Sequence, residues 1–129
     1  MLKEAAGVRK IMLKAGKTDL RRGIDGLAAI IRLSAGMDPL EKGTLYLFCG
    51  TRADRIKGLI YEGDGFVILT KRLSGENRFQ WPRNADDMKH LTRRQYENLM
   101  EGFSVESTIQ EIKKEEEPEK KSPKNQKNS

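Results

Sequence analysis

Apolar residues recur along this chain with two different periods, and the switches between them divide it into elements. From Val8 to Ala15 they alternate loosely, with Ile11, Leu13 and Ala15 on one side and Lys10 and Lys14 on the other. That alternation predicts a strand with one wet face, near a sheet edge. Gly16-Lys17 breaks it, and Thr18 or Asp19 offers an N-cap for a helix running to about Leu33. Leu20, Ile24, Leu27, Ala28 and Ile31 then fall at helical spacing and form one buried stripe. Gly36 suits the helix stop, and Asp38-Pro39 leads the chain into a loop.

The period then changes to that of strands. Thr44 to Cys49 is apolar on both faces, which predicts a central strand. Gly50 to Asp54 is a polar turn, Arg55 to Glu62 a second strand, and Gly63-Asp64-Gly65 a strong hairpin signal. Phe66 to Leu73 is the return strand. Ser74 to Asn77 reads as another turn, and Arg78 to Trp81 as a short last strand ended by Pro82. Arg83 to His90 reads as a polar loop. Thr92 and Gln95 fit a capping box, with Leu91 and Tyr96 as its hydrophobic staple, so a short helix runs to Glu101 and stops at Gly102. Residues 104–114 fit one more amphipathic helix through Val105, Ile109 and Ile112. Residues 115–129 are charged, Pro-broken and free of apolar side chains, which predicts disorder. The expected fold is α+β: an antiparallel β meander with one packed amphipathic helix and a short C-terminal helical segment. Residues 1–103 form the domain.

Composition narrows the function classes. The chain has 129 residues, enough for one domain, and a formal net charge of +6. The excess of cations lies within residues 1–100, so the folded part is the basic part. A basic body suggests an anionic partner such as nucleic acid, although many basic proteins bind none. No apolar run approaches the ~20 residues of a membrane-spanning helix, and the charged first sixteen residues hold no signal-peptide core. One Cys excludes an internal disulfide framework and points to a reducing cytoplasm. One Cys and one His do not make a zinc cluster. No cofactor or metal is expected.

The hairpin carries the sharpest expectation. A two-residue Asp64-Gly65 turn pairs Gly63 with Phe66 and sets Lys57 opposite Arg72. Both lie on the face shared by Arg55, Leu59, Tyr61, Phe66, Ile68 and Thr70. Like charges directly opposite repel, and an anion would relieve them; the alternative is that both side chains splay into water. A different loop would change the register. Arg52 and Arg78 fall nearby in the chain. Arg21, Asp25 and Arg32 share the helix side opposite the apolar stripe, with Arg22 beside them. They read as a phosphate-contacting face or, more simply, as a solvated face with an Arg21–Asp25 pair. Gly23 and Gly26 weaken a helix interior by ~1 kcal/mol each, which suggests close packing on the sheet. Tyr46, Phe48, Phe79 and Trp81 could stack on bases, but a small domain needs its aromatics in the core. Cys49 reads as an inert buried thiol. Asp19, Asp25, Asp54, Glu62 and Asp64 are the candidates for a Mg²⁺ site, and each has a simpler role as cap, turn or ion-pair residue.

Together, residues 18–34 (TDLRRGIDGLAAIIRLS), 39–50 (PLEKGTLYLFCG) and 52–82 (RADRIKGLIYEGDGFVILTKRLSGENRFQWP), followed by LTRRQYENLMEG, resemble a known family. It is the small accessory protein, called TnpB or Orf2, of IS66-type bacterial insertion sequences. Glu62 stands where the family pattern has Asp. The resemblance implies a non-catalytic accessory role in transposition, beside a separate and much larger DDE-type transposase. The expected protein partners are the transposase and a second accessory protein of the same element, with no membrane; the DNA of the element ends is expected from the basic body and the like-charged pairing. The expected DNA contacts are Arg52, Arg55, Lys57, Arg72 and Arg78, joined by Arg21 and Arg22. The alternative is an adaptor that binds the transposase or another accessory protein without touching DNA, through an exposed strand edge or residues 104–114.

Overall fold

The computed structural model describes residues 7–83 and 87–105. Five strands and two helices follow in the order β1 (Lys10–Lys17), α1 (Ile24–Ala35), β2 (Thr44–Cys49), β3 (Arg55–Tyr61), β4 (Phe66–Arg72), β5 (Met88–Leu91) and α2 (Arg93–Met100). They form one sheet in the order β4-β3-β2-β1-β5. The fold is α+β and mostly antiparallel, with one exception: β1 and β2 run parallel. Parallel neighbours need a crossover, and α1 supplies it.

Both faces of the sheet are covered. On one, Met12, Tyr46, Phe48 and Leu59 pack under Leu27, Ala28 and Ile31 of α1, with Leu20, Phe66 and Ile68 at the margin. On the other, Ile11, Leu13, Leu45, Leu47, Ile56 and Ile60 meet Phe79, Trp81, Tyr96 and Leu99. Each large apolar side chain fully enclosed here contributes roughly 1.5–3 kcal/mol. β2 is buried at all six positions, as a central strand without polar alternation must be.

Four local expectations are corrected. β1 is not near an edge; it lies between β2 and β5, and Lys14 on its supposedly wet face is 5% exposed. The short β5 pairs with β1, setting Ile11 opposite Leu91 and Leu13 opposite Lys89, and so covers the edge. The last strand is therefore Met88–Leu91, inside the segment read as a loop, while Arg78–Trp81 is extended but unpaired as a strand. Phe79 and Trp81 alternate inward because this segment crosses the sheet face, where Trp81 Nε1 donates to Lys14 O at 2.9 Å. MKHL has little strand propensity of its own; pairing with β1 imposes it.

Third, α1 starts at Ile24 with Gly23 as N-cap, not at Thr18 or Asp19. Asp19 is engaged by Arg21 instead, so residues 18–23 form a loop. Gly23 has open space around it, and Gly26 faces the Arg22 side chain, so neither glycine serves packing on the sheet. The helix ends as expected at Gly36, whose left-handed backbone (φ 64°) lets Gly36 N and Met37 N donate to Arg32 O and Ile31 O.

Fourth, the β3–β4 loop has four residues, Glu62 to Gly65, closed by Glu62 N donating to Gly65 O at 2.8 Å. Tyr61 and not Gly63 faces Phe66, and their rings tilt together 5.0 Å apart. The register is thus displaced by two residues: Lys57 faces Thr70, and Arg55 faces Arg72. A two-residue displacement preserves the faces, so the grouping of Arg55, Lys57, Thr70 and Arg72 survives. The Thr92–Gln95 capping box of α2 forms as read, with bonds of 3.0 and 2.9 Å. Val105 is buried beneath it; most of the 104–114 segment and the tail lie outside the described residues.

Candidate nucleic-acid interface

Strand directions gather one set of chain ends. Parallel β1 and β2 both finish at the same end of the sheet, where Lys17 faces Cys49. Antiparallel β3 starts there, and β4 ends there at Arg72. The β1–α1 loop and the β2–β3 loop therefore meet at the carboxyl ends of parallel strands, the usual place for ligands in open sheets. Between them lies a cleft of about 390 Å³, lined by Thr18, Leu20, Thr51, Arg21, Arg52, Arg55, Arg72, Asp19, Asp54 and Gly50.

The β1–α1 side is set by one ion pair. Arg21 donates from Nε and Nη2 to the two oxygens of Asp19, both at 3.0 Å, and from its backbone N to Oδ1 at 3.1 Å. These bonds hold the Asp19 carboxyl down at about 2. Arg21 is thus tied to Asp19, and the expected Arg21–Asp25 pair does not form, because Arg21 precedes the helix. Leu20 anchors the loop: its Cδ1 would lie 3.3 Å from a Cβ at Gly50, so a side chain there would press against it.

The β2–β3 side is a braced turn. Ala53 holds a left-handed backbone (φ 60°), which L-residues other than Gly, Asn and Asp adopt at a cost of roughly 1–2 kcal/mol. Neighbouring segments fix it: Phe79 N donates to Ala53 O at 2.7 Å and Leu73 N to Asp54 O at 2.8 Å. Arg83 Nη2 reaches Gly50 O and Thr51 O at 3.2 and 3.3 Å. Thr18 N donates to Cys49 O at 2.8 Å and joins the two loops.

Arg52, Arg55 and Arg72 remain. All three are exposed, Arg55 and Arg72 are cross-strand neighbours, and none has an ion-pair partner among the described residues. Outside the Asp19–Arg21 pair, Asp54 is the one acidic residue among those lining the cleft. Opposed like charges on a sheet are destabilising, and an anion bound between them removes that penalty.

Of the seven residues read from the sequence, four line this cleft: Arg21, Arg52, Arg55 and Arg72. Arg22 lines a smaller neighbouring cleft of about 170 Å³ with Lys14, Lys17, Thr18 and Asp19. Lys57 lies on the same sheet face but outside both clefts, half-buried opposite Thr70. Arg78 lies outside them too, in the segment that crosses the other face, donating to Asn77 O at 2.8 Å. The sequence reading missed Lys17 and the bracing Arg83. Lys17 was legible only as part of a strand-breaking dipeptide, and Arg83 carried no local signal.

The remaining candidates take other roles. Tyr46, Phe48, Phe79 and Trp81 are at most 6% exposed and are core, not stacking platforms. Cys49 is buried, and burial pushes its thiol up to about 11. Among the described residues, no three His, Cys, Asp or Glu side chains converge on a possible metal position, and no helix is long and apolar enough to cross a membrane.

Residues 9–110 match the family of IS66 Orf2-like proteins. The chain is similar to two proteins of Sinorhizobium fredii (strain NGR234). Uncharacterized protein y4jC is 29% identical over 103 residues, spanning 80% of this chain and 86% of that protein. Uncharacterized protein y4hO is 30% identical over 103 residues, spanning 80% and 87%. No solved structure matches. The matched span runs from the start of β1 to beyond α2 and so includes every element that builds the cleft, and the chain belongs to the IS66 Orf2-like family of insertion-sequence accessory proteins.

Proposed function

We propose that the protein is a non-catalytic accessory factor in transposition that holds the DNA of its element's ends by their phosphates, through the arginine cleft. The observation that carries this reading is the set of Arg52, Arg55 and Arg72, three exposed guanidiniums without ion-pair partners among the described residues, around one concavity. Guanidinium forks match phosphate oxygens in shape and charge. Lys17 and Arg22 extend the basic strip beyond the Asp19–Arg21 pair, a path that a phosphate backbone can follow. Such contacts position DNA; they carry no base readout by themselves.

The test is fluorescence anisotropy on duplex DNA from the element's end and on a scrambled duplex, at several salt concentrations. Log affinity should fall linearly with log salt, with a slope near −0.9 for each phosphate contact. Replacing Arg52, Arg55 and Arg72 by Ala should flatten that slope by about three contacts' worth and weaken both duplexes alike. Lys57→Ala and Arg78→Ala should change little, since neither lines the cleft. No binding at low salt, or an unchanged slope in the folded triple variant, overturns the reading and leaves the protein-adaptor alternative.

A further inference from the structure

The two edges of the sheet are built differently. β5 is four residues long, with Lys89 and His90 at its centre. β4 runs seven residues in unbroken register with β3, without a proline or a bulge. Among the described residues, the side of β4 away from β3 makes no backbone hydrogen bond. Proteins normally blunt such an edge with charge, proline, a bulge or a cover, because it templates further pairing. Here Phe66, Val67, Ile68 and Leu69 are all half-buried, neither enclosed nor solvated.

Charge selects the occupant. Exposed Glu62 and Asp64 sit at the start of β4, and Lys71 and Arg72 at its end. A parallel neighbour of the same sequence would set acid beside acid and cation beside cation. An antiparallel one sets each acidic end beside a basic end. We infer that β4 pairs antiparallel with β4 of a second copy, about a two-fold axis at Ile68, to give a continuous ten-stranded sheet. That register sets Phe66 opposite Thr70 and Val67 opposite Leu69, and brings the turn that carries Asp64 to the Arg72 end of the partner strand, each contact made twice by the symmetry. It also keeps the α1 faces of both copies on one side. A one-residue slip would set the α1 face of one copy level with the α2 face of the other. Arg72 borders both surfaces, so the two clefts come to lie on the same face, with the two Arg72 residues about 27 Å apart along the strand direction at ~3.4 Å per residue. The inference rests on the edge and its charges and stands whether or not the cleft binds DNA.

The test is sedimentation equilibrium of the full chain across the micromolar range. The wild type should be a dimer. Asp64→Lys and Arg72→Glu should each weaken it by about tenfold or more, since each brings like charges together at both ends of the seam. The double variant should recover most of the loss. Far-UV circular dichroism checks folding; Asp64 is an exposed turn residue outside the cleft, so Asp64→Lys decides alone if Arg72→Glu does not fold. A monomeric wild type at every concentration overturns the inference and leaves the edge to a strand of another protein. A dimer indifferent to both single swaps, or a double variant weaker than either, overturns it as well.

Discussion

β2 and the loop that leaves it are adjacent in sequence and obey opposite rules. All six residues of β2 are buried and uncharged, and the strand pairs on both sides, parallel to β1 and antiparallel to β3. The five residues after it hold a left-handed Ala53, an Arg52 without an ion-pair partner among the described residues, and a cleft wall. The first region minimises its own free energy. The second carries local cost in backbone strain, beside the opposed Arg55 and Arg72 of β3 and β4, that the sheet beneath it offsets. Strain and unrelieved charge concentrated at one end of a well-packed sheet are what a binding site requires.

The largest effect that would sharpen this contrast is a cavity in β2. Leu47 is fully buried between β1 and β3, and Leu47→Ala should lower stability by about 2–5 kcal/mol in urea denaturation. Arg52→Ala, an exposed change at the cleft, should stay within about 0.5 kcal/mol while weakening DNA binding. If Arg52→Ala proved as destabilising as Leu47→Ala, the cleft would be part of the structural frame and not a site resting on it.

Titration separates the same two regions. Burial pushes the Tyr46 hydroxyl up to about 12 and the Cys49 thiol up to about 11, both in β2. In the unfolded chain these groups ionise near 10 and 9. Their contribution to stability is therefore fully present below pH 9 and is lost as the pH rises toward 12, because the unfolded state releases protons first. Asp19 at the cleft has the opposite sign. Its folded carboxyl is held at about 2 by Arg21, so its contribution is present above pH 3.8 and fades as pH falls to 2. That pair is exposed and solvent-screened, so the acid limb should be the shallower. Replacing Cys49 by Ser would move the alkaline limb, and Asp19→Asn only the acid one, in pH-dependent denaturation.

A smaller effect lies on the α2 side. The Tyr96 hydroxyl is buried with no hydrogen-bond partner among the described residues. An orphaned buried hydroxyl costs about 1–3 kcal/mol, so Tyr96→Phe should raise stability by about 1 kcal/mol. A loss of stability in thermal denaturation would mean that the hydroxyl is satisfied in solution.

How much of this was legible depends on how local each cause is. The all-apolar β2, the hairpin and the Thr92–Gln95 box are written in neighbouring residues, and the structure bears them out; of the α1 stripe, Leu27, Ala28 and Ile31 are buried, while Ile24 is exposed at the helix start and Leu20 precedes the helix. β5 is not, because MKHL becomes a strand only through pairing with β1, some seventy-five residues away. The interior position of β1 follows from that same pairing, which is why Lys14 looked wet. The hairpin register failed for a subtler reason: Gly63-Asp64-Gly65 is compatible with loops of two and of four residues, and the Tyr61–Phe66 ring contact accompanies the longer one. The arginines were visible as charge, but their convergence depended on strand direction. The same parallel β1–β2 pairing that no local pattern announced brings Arg21 to Arg52 and Arg72.

The smallest prediction tests the loop itself. Ala53 sits at φ 60° and also packs partly against the core beneath α2. Ala53→Gly removes the left-handed strain, roughly 1–2 kcal/mol, but loosens the unfolded chain by about 0.4–1 kcal/mol and deletes a half-buried methyl. These terms nearly cancel, so stability should change by less than about 0.5 kcal/mol. Affinity for DNA should respond more than stability does, because Ala53 lies between Arg52 and Asp54 and its backbone aims both into the cleft. Ala53→Gly measured by denaturation and by anisotropy should therefore leave the first almost still and weaken the second. If both stayed unchanged, the braces from Phe79, Leu73 and Arg83 would suffice to shape the turn, and the strain at Ala53 would be incidental to the site.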